Sequence, residues 1–548
     1  MTSTPDVPSA PVGRELGLVS EGNRPTPSRN DTRTPACSAP PAALRLTWVQ
    51  PEDLVGHELR QAAEDGRDAR ALAARWSAAG GPPAPPTAGA SPTPRPDLRP
   101  LAESLLDALS ELPSPLAPLE PTPLAAIVAA CPAWPPSPGE AATGQGAAHS
   151  PAGPPAREAP RYRGDGGGAP GLVRVSGWGH RPGEALGEGG VGARESDALY
   201  DRLHAAWLGR AAGCLLGKPV EKLPLPAIRA LARATGNWPL RDWFTARGVP
   251  AELLAAHPWN RRSATTSLAE NIDGMPEDDD LNYPLLNLLL LRRHGRGFDT
   301  ADVARLWLDE LPAGRTFTAE RIAYRNLLDG VEPPYTACRR NPFREWIGAQ
   351  IRADVHGWTH PGDPAGAARQ AHRDAVLSHT GNGVYGAMFV AATIAAAASG
   401  TADVHTCLAA GLAVVPPGSR LARAVRFGIG AARTQPDFDT VVDRLHAELG
   451  GYHWVHAVPN AALLAAALTH ADGDFTRSIG AAVSGGWDTD SNGATAGSVA
   501  GLLAGHPDRL PESWTSPLKN RLSTSVPSFD GIGFDALAAL THSEAVRP

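Results

Sequence analysis

A glycine recurs at every fourth position in one segment of the chain, GGWDTDSNGATAGSVAGLLAG at 485–505. In a helix these glycines would lie along one face, and each would cost about 1 kcal/mol relative to alanine. A face without side chains lets a second backbone approach closely. The pattern therefore predicts a helix packed tightly on a neighbour, with its N-terminal end buried there. The stripe consists of Gly493, Gly497, Gly501 and Gly505.

Helical periodicity extends over residues 196–548. Ser196 is a suitable N-cap for the first helix of this region. Strand-like runs rich in Val, Ile and Thr are nearly absent, so the predicted fold class is all-α, a compact multi-helix bundle. Apolar residues recur at helical spacing in segments 196–221, 281–295, 300–311, 317–330, 341–355, 439–449 and 460–470.

The most apolar stretch of the chain is VYGAMFVAATIAAAAS at 384–399. A membrane span needs about 20 residues that are more strongly apolar than this Ala-rich run. The stretch is therefore predicted to be a buried helix, and no membrane partner is expected.

The N-terminal part differs in composition, because the residues before about position 195 include 32 of the 55 Pro and 24 of the 58 Gly residues. Residues 1–43 have no periodicity and are predicted to be disordered. Residues 44–80 predict a helical arm that either packs on the core or binds a partner. Residues 81–195 predict a Pro/Gly-rich linker with a short helix near 98–112. The bundle thus carries a long, mostly disordered extension.

Charge and cysteine usage exclude several partners and compartments. The formal net charge is −7 and no basic stripe is present, so nucleic acid is not an expected partner. The five cysteines are widely spaced without a CxxC pair, as is typical of reduced thiols. The first residues lack the basic start and apolar core of a signal peptide. These features predict a cytoplasmic protein.

Two acidic clusters are unusual on physical grounds. The first, in MPEDDDLNYPLL at 275–286, has four consecutive carboxylates before an apolar helix. The second, in GGWDTDSN, places two aspartates on either side of Thr489 at the start of the glycine-rich helix. The two clusters consist of Glu277, Asp278, Asp279 and Asp280, and of Asp488 and Asp490.

Adjacent carboxylates repel one another, so burying them requires a cation. Acids are also favoured at helix N-termini, and a charged N-cap remains an alternative for each cluster. No Lys or Arg lies close in sequence to the second cluster, whose helix start is predicted to be buried. Ligand sets made only of oxygen suit Mg²⁺, Mn²⁺ or Ca²⁺. The two clusters together therefore predict a site that holds divalent ions.

Three segments resemble the motifs of one family. HAAWLGRAAGCLLGKPVEK at 204–222 resembles the opening helix of ADP-ribosylglycohydrolases, which include the enzymes that reactivate ADP-ribosylated dinitrogenase reductase. PEDDDL resembles the first metal motif of that family, and GGWDTDSNGATAG resembles the second. The resemblance covers 196–548, which is therefore predicted to be the catalytic domain. It implies an all-α fold, a dinuclear Mg²⁺ or Mn²⁺ centre, and substrates that contain ADP-ribose, such as an ADP-ribosylated protein.

The resemblance also implies roles for individual residues. Glu277 stands where the family has a Ser or Thr ligand, and it is either a metal ligand or a general base. Ser491 stands where the family usually has Thr. Glu221, at the end of GKPVE, matches an acidic residue over the site, so Glu277 and Glu221 are the predicted acid–base residues. The predicted metal ligands are Glu277, Asp278, Asp279, Asp488, Asp490 and Ser491.

The predicted activity is metal-dependent hydrolysis of a glycosidic bond to ADP-ribose, which would remove ADP-ribose from a protein or a small molecule. Two alternatives from other classes remain. Oxygen-ligated ion pairs also suit phosphoryl transfer, so the protein could be a phosphoesterase acting on a nucleotide. It could also be a catalytically silent relative that binds ADP-ribose.

Overall fold

The computed structural model describes residues 48–136 and 191–547, and of 191–194 only the backbone. The predicted disordered segment 1–43 lies outside these residues. Within them the regular secondary structure is helical and no β-strand is present, which confirms the all-α fold class. The α-helices in chain order are α1 (Pro51–Glu64), α2 (Arg70–Ala78), α3 (Arg99–Ser110), α4 (Leu124–Ala130), α5 (Val191–Gly217), α6 (Leu225–Ala234), α7 (Ala251–Ala256), α8 (Ala264–Ser267), α9 (Asp279–His294), α10 (Thr300–Glu310), α11 (Thr318–Leu328), α12 (Gly348–Ile351), α13 (Asp354–Trp358), α14 (Pro364–Ala375), α15 (Gly381–Ala398), α16 (Val404–Ala413), α17 (Arg420–Thr434), α18 (Phe438–Leu449), α19 (Ala457–Ala471), α20 (Phe475–Ser484), α21 (Thr489–Ala504), α22 (Glu512–Thr515) and α23 (Phe534–Ala545).

Most helices predicted from periodicity are present, and two predictions need correction. The segment 341–355 is not one helix but contains α12 and the start of α13, because the chain turns at Arg352, whose buried guanidinium pairs with Glu320 and Asp374. The first helix of the bundle begins at Val191, so Ser196 lies inside α5 and is not its N-cap. The Ser196 hydroxyl is instead 3.0 Å from Nε2 of His542.

Helix α15 lies at the centre of the bundle. Helices α12, α13, α14, α16, α19 and α21 pack around it, and all of its residues are buried. By length and composition it is the one helix in the described part of the chain that could cross a membrane. Its complete burial within the protein confirms the buried helix predicted at 384–399.

The most extensive helix pair is α5 with α21, and glycines on both helices form the contact. A Cβ atom on Gly493 would lie 2.2 Å from the carbonyl oxygen of Gly213, and one on Gly497 would lie 1.9 Å from that of Gly209. These distances confirm the predicted close approach of a second backbone. Gly505 has a different role, since it ends α21 with a φ of 81°.

Replacing Gly497 with alanine tests this contact. Because the new methyl group meets a backbone oxygen, the two helices must separate, and we expect a loss of about 1–3 kcal/mol in unfolding free energy. Gly430 is the matched control, since it lies exposed on α17 with open space around its Cα. Gly430→Ala should stabilise the protein by about 1 kcal/mol. Urea unfolding measures both values, and a stabilising Gly497→Ala would refute the packing argument.

The N-terminal helices are part of the same hydrophobic core. A turn that includes Gly66, at a φ of 76°, separates α1 from α2, so the predicted arm is two helices. Residues 81–136, predicted to belong to a linker, contain α3 and α4. Leu54 of α1, Leu105 of α3 and Ile127 of α4 are buried in the core cluster. Of the two alternatives for the arm, packing on the core is the one that α1 adopts.

Candidate active site

Three helix ends meet at one place in the bundle: the C-terminal end of α5 and the N-terminal ends of α9 and α21. The hydroxyl of Thr489 donates a hydrogen bond of 2.8 Å to the carbonyl of Gly217. The hydroxyl of Ser491 donates one of 3.1 Å to Oδ2 of Asp280. These contacts bring the two acidic motifs together although they are more than two hundred residues apart in sequence.

Asp278 directly precedes α9 and has two roles in the structure. Its Oδ1 accepts a hydrogen bond of 2.9 Å from the backbone N–H of Asp280, which is an N-cap. Its Oδ2 contacts the ammonium group of Lys218. Burial disfavours the charged form of Asp278, but Lys218 outweighs it and lowers the pKa of Asp278. The N-cap alternative thus accounts for one oxygen of this acid.

The other predicted aspartate ligands are not explained by capping. Asp488 occupies the N-cap position of α21, yet its side chain makes no capping hydrogen bond. Burial, followed by the charge of Asp490, raises the pKa of Asp488 well above its usual value. Burial, followed by the charges of Glu221 and Asp278, raises the pKa of Asp490 to about 7. Burial and the charge of Asp278 likewise raise the pKa of Asp279. These acids repel one another unless a cation lies between them.

The cations that face the acids come from α5 and the turn after it, and sequence proximity did not reveal them. Lys218 follows the last residue of α5, and the buried Arg210 lies on α5. Nη1 of Arg210 is 2.9 Å from Oδ2 of Asp354, and its Nη2 is 3.4 Å from Oδ1 of Asp280. These cations pair with acids of the first cluster, and they were not found from the sequence because they are distant from those acids along the chain.

The site nevertheless retains an excess of negative charge, which fits divalent ions. In the described part of the chain, ion pairs to its six carboxylates come from Lys218, Lys222 and Arg210. Sγ of Cys214 and carboxylate oxygens of Asp278 and Asp280 lie within 4.8 Å of one another, and this group could itself bind a metal. The six carboxylates belong to Glu221, Asp278, Asp279, Asp280, Asp488 and Asp490.

The two predicted acid–base residues have different surroundings. Oε2 of Glu277 is 2.8 Å from Nη1 of Arg315, and its Oε1 accepts a hydrogen bond of 3.3 Å from Asn282. Oε1 of Glu221 is 2.6 Å from Nζ of Lys222, and its Oε2 accepts one of 2.7 Å from Asn260. The charge of Glu221 also contributes to the raised pKa values of Asp279, Asp488 and Asp490. Glu221 therefore lies against the aspartates, whereas the carboxylate of Glu277 is held by Arg315 and Asn282.

Asn460 positions the second motif, and sequence reasoning missed it. Its Oδ1 accepts hydrogen bonds from the backbone N–H of Asp488, at 3.1 Å, and from the side chain of Asn492, at 2.7 Å. Trp487 has a φ of 55°, in the left-handed region, and its ring stacks on His446 with centroids 4.0 Å apart. The loop before α21 is thus fixed from both sides. Asn460 lies in an Ala-rich helix whose sequence pattern gives no sign of a polar role.

Asp280 was also not among the predicted ligands, although it belongs to the first cluster. It is buried and contacts both Arg210 and Ser491. All residues from Asp280 to Leu291 are buried, so periodicity does not indicate which of the consecutive acids faces inward.

Comparison with known proteins identifies the family of the chain. A family model of ADP-ribosylglycohydrolases matches residues 195–544. The chain belongs to this family. Members of the ADP-ribosylglycohydrolase family hydrolyse linkages to ADP-ribose and are generally metal-dependent, so the chain is of a hydrolase family.

A solved structure described as an ADP-ribosylglycohydrolase-related protein complex is 21% identical to the chain. The match covers 64% of this chain and 100% of that chain, with a TM-score of 0.41. Comparison with curated proteins gave no match.

Proposed function

We propose that the protein is a divalent-metal-dependent hydrolase that cleaves a glycosidic bond between ADP-ribose and a group on a protein or small molecule. The observation that carries this proposal is the convergence of Asp279, Asp488 and Asp490, from two distant motifs, at one place in a member of the ADP-ribosylglycohydrolase family. Their carboxylates and the Ser491 hydroxyl form an oxygen-only donor set, which suits Mg²⁺ or Mn²⁺.

When bound, a divalent ion would supply positive charge that orients the ribose hydroxyls and activates water. Residues of this chain would hold the ion and position it. Asp279, Asp488 and Asp490 would hold the ion, with Asp278 beside them. Ser491 ties the second motif to Asp280 and so fixes the relative position of the two carboxylate groups. The resemblance to the family implies two ions at this centre.

Glu221 is the better placed of the two acid–base candidates. Its carboxylate is partly exposed, with 19% of the side chain accessible, and it lies against the aspartates that would hold the ion. One hydrogen bond from Asn260 and the ion pair with Lys222 fix its orientation. A carboxylate held in this way can move a proton to or from the glycosidic oxygen or nitrogen.

Lys222 and Trp454 lie at the rim of the site, and their side chains suit the ADP portion of the substrate. Nζ of Lys222 is 5.7 Å from the ring centroid of Trp454, and its side chain is 51% exposed. An exposed ammonium group favours a diphosphate, and a partly exposed indole favours stacking with a nucleobase. We propose that these two residues contact the ADP portion.

A mass-spectrometric screen of ADP-ribosylated peptides and nucleotides tests the proposed function. Incubation with the purified chain and Mg²⁺ or Mn²⁺ should release intact ADP-ribose, and a chelator should stop the release. Release of phosphate with the glycosidic bond intact would instead indicate a phosphoesterase. Binding of ADP-ribose without turnover of any substrate would indicate a silent relative.

Substituting each acid–base candidate separates their roles. Glu221→Gln keeps the size of the side chain and removes its charge, so we expect the rate to fall by about 10²–10⁴-fold with a much smaller change in Mn²⁺ affinity. Glu277→Thr gives the residue type usual in the family at this position, and it should retain substantial activity. Turnover and Mn²⁺ affinity of both variants are measured together. The reverse pattern, a large loss only in Glu277→Thr, would make Glu277 the base.

A further inference from the structure

Lys218 is a buried cation built into the acidic cluster. It lies in the short 3₁₀ turn Lys218–Val220 that follows α5, and 8% of its side chain is exposed. Its Nζ contacts Oδ2 of Asp278 and donates a hydrogen bond of 3.2 Å to the backbone carbonyl of Glu277. The ammonium group is therefore held by the start of α9, where the first metal motif lies.

The contact with Asp278 favours the charged form of this lysine. The charge of Asp490 acts in the same direction. The ammonium group also acts on Asp279, whose raised pKa it partly lowers. Its positive charge thus reaches acids of both motifs, as that of a bound cation would.

Asp278 has little capacity left for a metal ion. Its Oδ1 caps α9 and its Oδ2 contacts Lys218. A divalent ion bound at Oδ2 would stand close to an ammonium group in a poorly solvated site, where like charges repel strongly. Asp279, Asp488 and Asp490 have no ion pair with Lys or Arg in the described part of the chain, so they remain free to hold an ion.

We propose that the ammonium group of Lys218 takes the place of one of the two divalent ions, so that the centre binds a single divalent ion on Asp279, Asp488 and Asp490. The inference rests on the proposed function, since it assumes that these acids hold a metal. In this chain the side chain of Lys218 fills the position beside Asp278. Cys214 and Asp280 would then complete the surroundings of the lysine instead of binding an ion.

The number of ions bound by the full chain tests this proposal. Equilibrium dialysis with Mn²⁺ should give one tight site per chain, and the electron paramagnetic resonance spectrum should be that of an isolated ion. Lys218→Met removes the charge at similar length, and we expect it to bind a second Mn²⁺ with a spin-coupled spectrum. Lys519→Met is the matched control, because Lys519 pairs with Asp273 on the surface, and it should bind one ion like the wild type.

Two coupled ions in the wild-type chain would overturn the proposal, and this result does not depend on whether Lys218→Met folds. A folded Lys218→Met variant that still binds one ion would also overturn it, since the lysine would not be what excludes the second. The stoichiometry is independent of turnover. A chain that binds one Mn²⁺ but releases no ADP-ribose would contradict the proposed function and leave this inference standing.

Discussion

Asp490→Asn is expected to abolish turnover while the protein remains folded. Asp490 lies in the first turn of the glycine-rich helix α21 and is buried, with its carboxylate facing Glu221 and Asp278. Asparagine has the same shape but no charge, so it removes the attraction to a divalent ion without opening a cavity. Loss of a metal ligand removes several kcal/mol of transition-state stabilisation, and every 1.36 kcal/mol is a factor of about ten in rate. Turnover with Mg²⁺ and titration with Mn²⁺ measure the two effects.

The same substitution should not destabilise the metal-free protein. Removing one of several mutually repelling carboxylates relieves repulsion in the folded state, so thermal stability without metal should stay level or rise slightly. Added Mn²⁺ should stabilise the wild type more than the variant. Asp508→Asn is the matched control, because 89% of the Asp508 side chain is exposed, and it should behave like the wild type. Full turnover by Asp490→Asn with Mg²⁺ would mean that the second motif does not hold the ion.

Arg420→Ala is expected to produce the largest loss of stability, about 3–5 kcal/mol, because it breaks a buried ion-pair network. Nη2 of Arg420 is 2.7 Å from Oε2 of Glu120 and 2.8 Å from Oε2 of Glu345. Its Nη1 also donates a hydrogen bond of 3.2 Å to the backbone carbonyl of Glu64 at the end of α1. Without the guanidinium, the buried carboxylates of Glu120 and Glu345 would lose their shared cation, and Glu345 would keep only the hydrogen bonds from Gln61 and Asn382 and the contact with His456. The shift in the urea midpoint, with the slope of the transition, measures the loss.

Arg423→Ala controls for the loss of an arginine from the same helix. Arg423 is exposed on α17, so its removal should change the unfolding free energy by no more than about 0.5 kcal/mol. The comparison also tests the N-terminal region, since Glu64 and Glu120 precede the bundle in sequence. If Arg420→Ala were no more costly than Arg423→Ala, the contacts of this region with the bundle would contribute little to stability.

Much of the fold could be predicted because it depends on local patterns. Apolar residues at helical spacing predicted α9, α10, α11, α18 and α19 close to their observed bounds. Helix ends were predicted less well: α5 begins at Val191, five residues before the predicted N-cap Ser196. The break between α12 and α13 was missed because it follows from the pairing of Arg352 with acids on other helices.

The candidate site shows the same division between local and long-range information. The acids of both motifs could be found in the sequence because consecutive carboxylates before an apolar helix are rare without a reason. The structure shows where the predicted ligands lie: Asp278, Asp279, Asp488 and Asp490. Their role as metal ligands stays a prediction. Asn460 could not be found, because its partners Asp488 and Asn492 are on another helix.

The sequence by itself determined the helical fold class, the close packing implied by the glycines at 493, 497 and 501, and the two acidic motifs. Each of these follows from residue types and spacing within one segment. Only the tertiary structure decided which cations meet the acids, that Asp280 faces Ser491, and that residues 96–130 join the core. Buried charges are stable only beside a partner, and the partner is chosen by how helices far apart in sequence pack together.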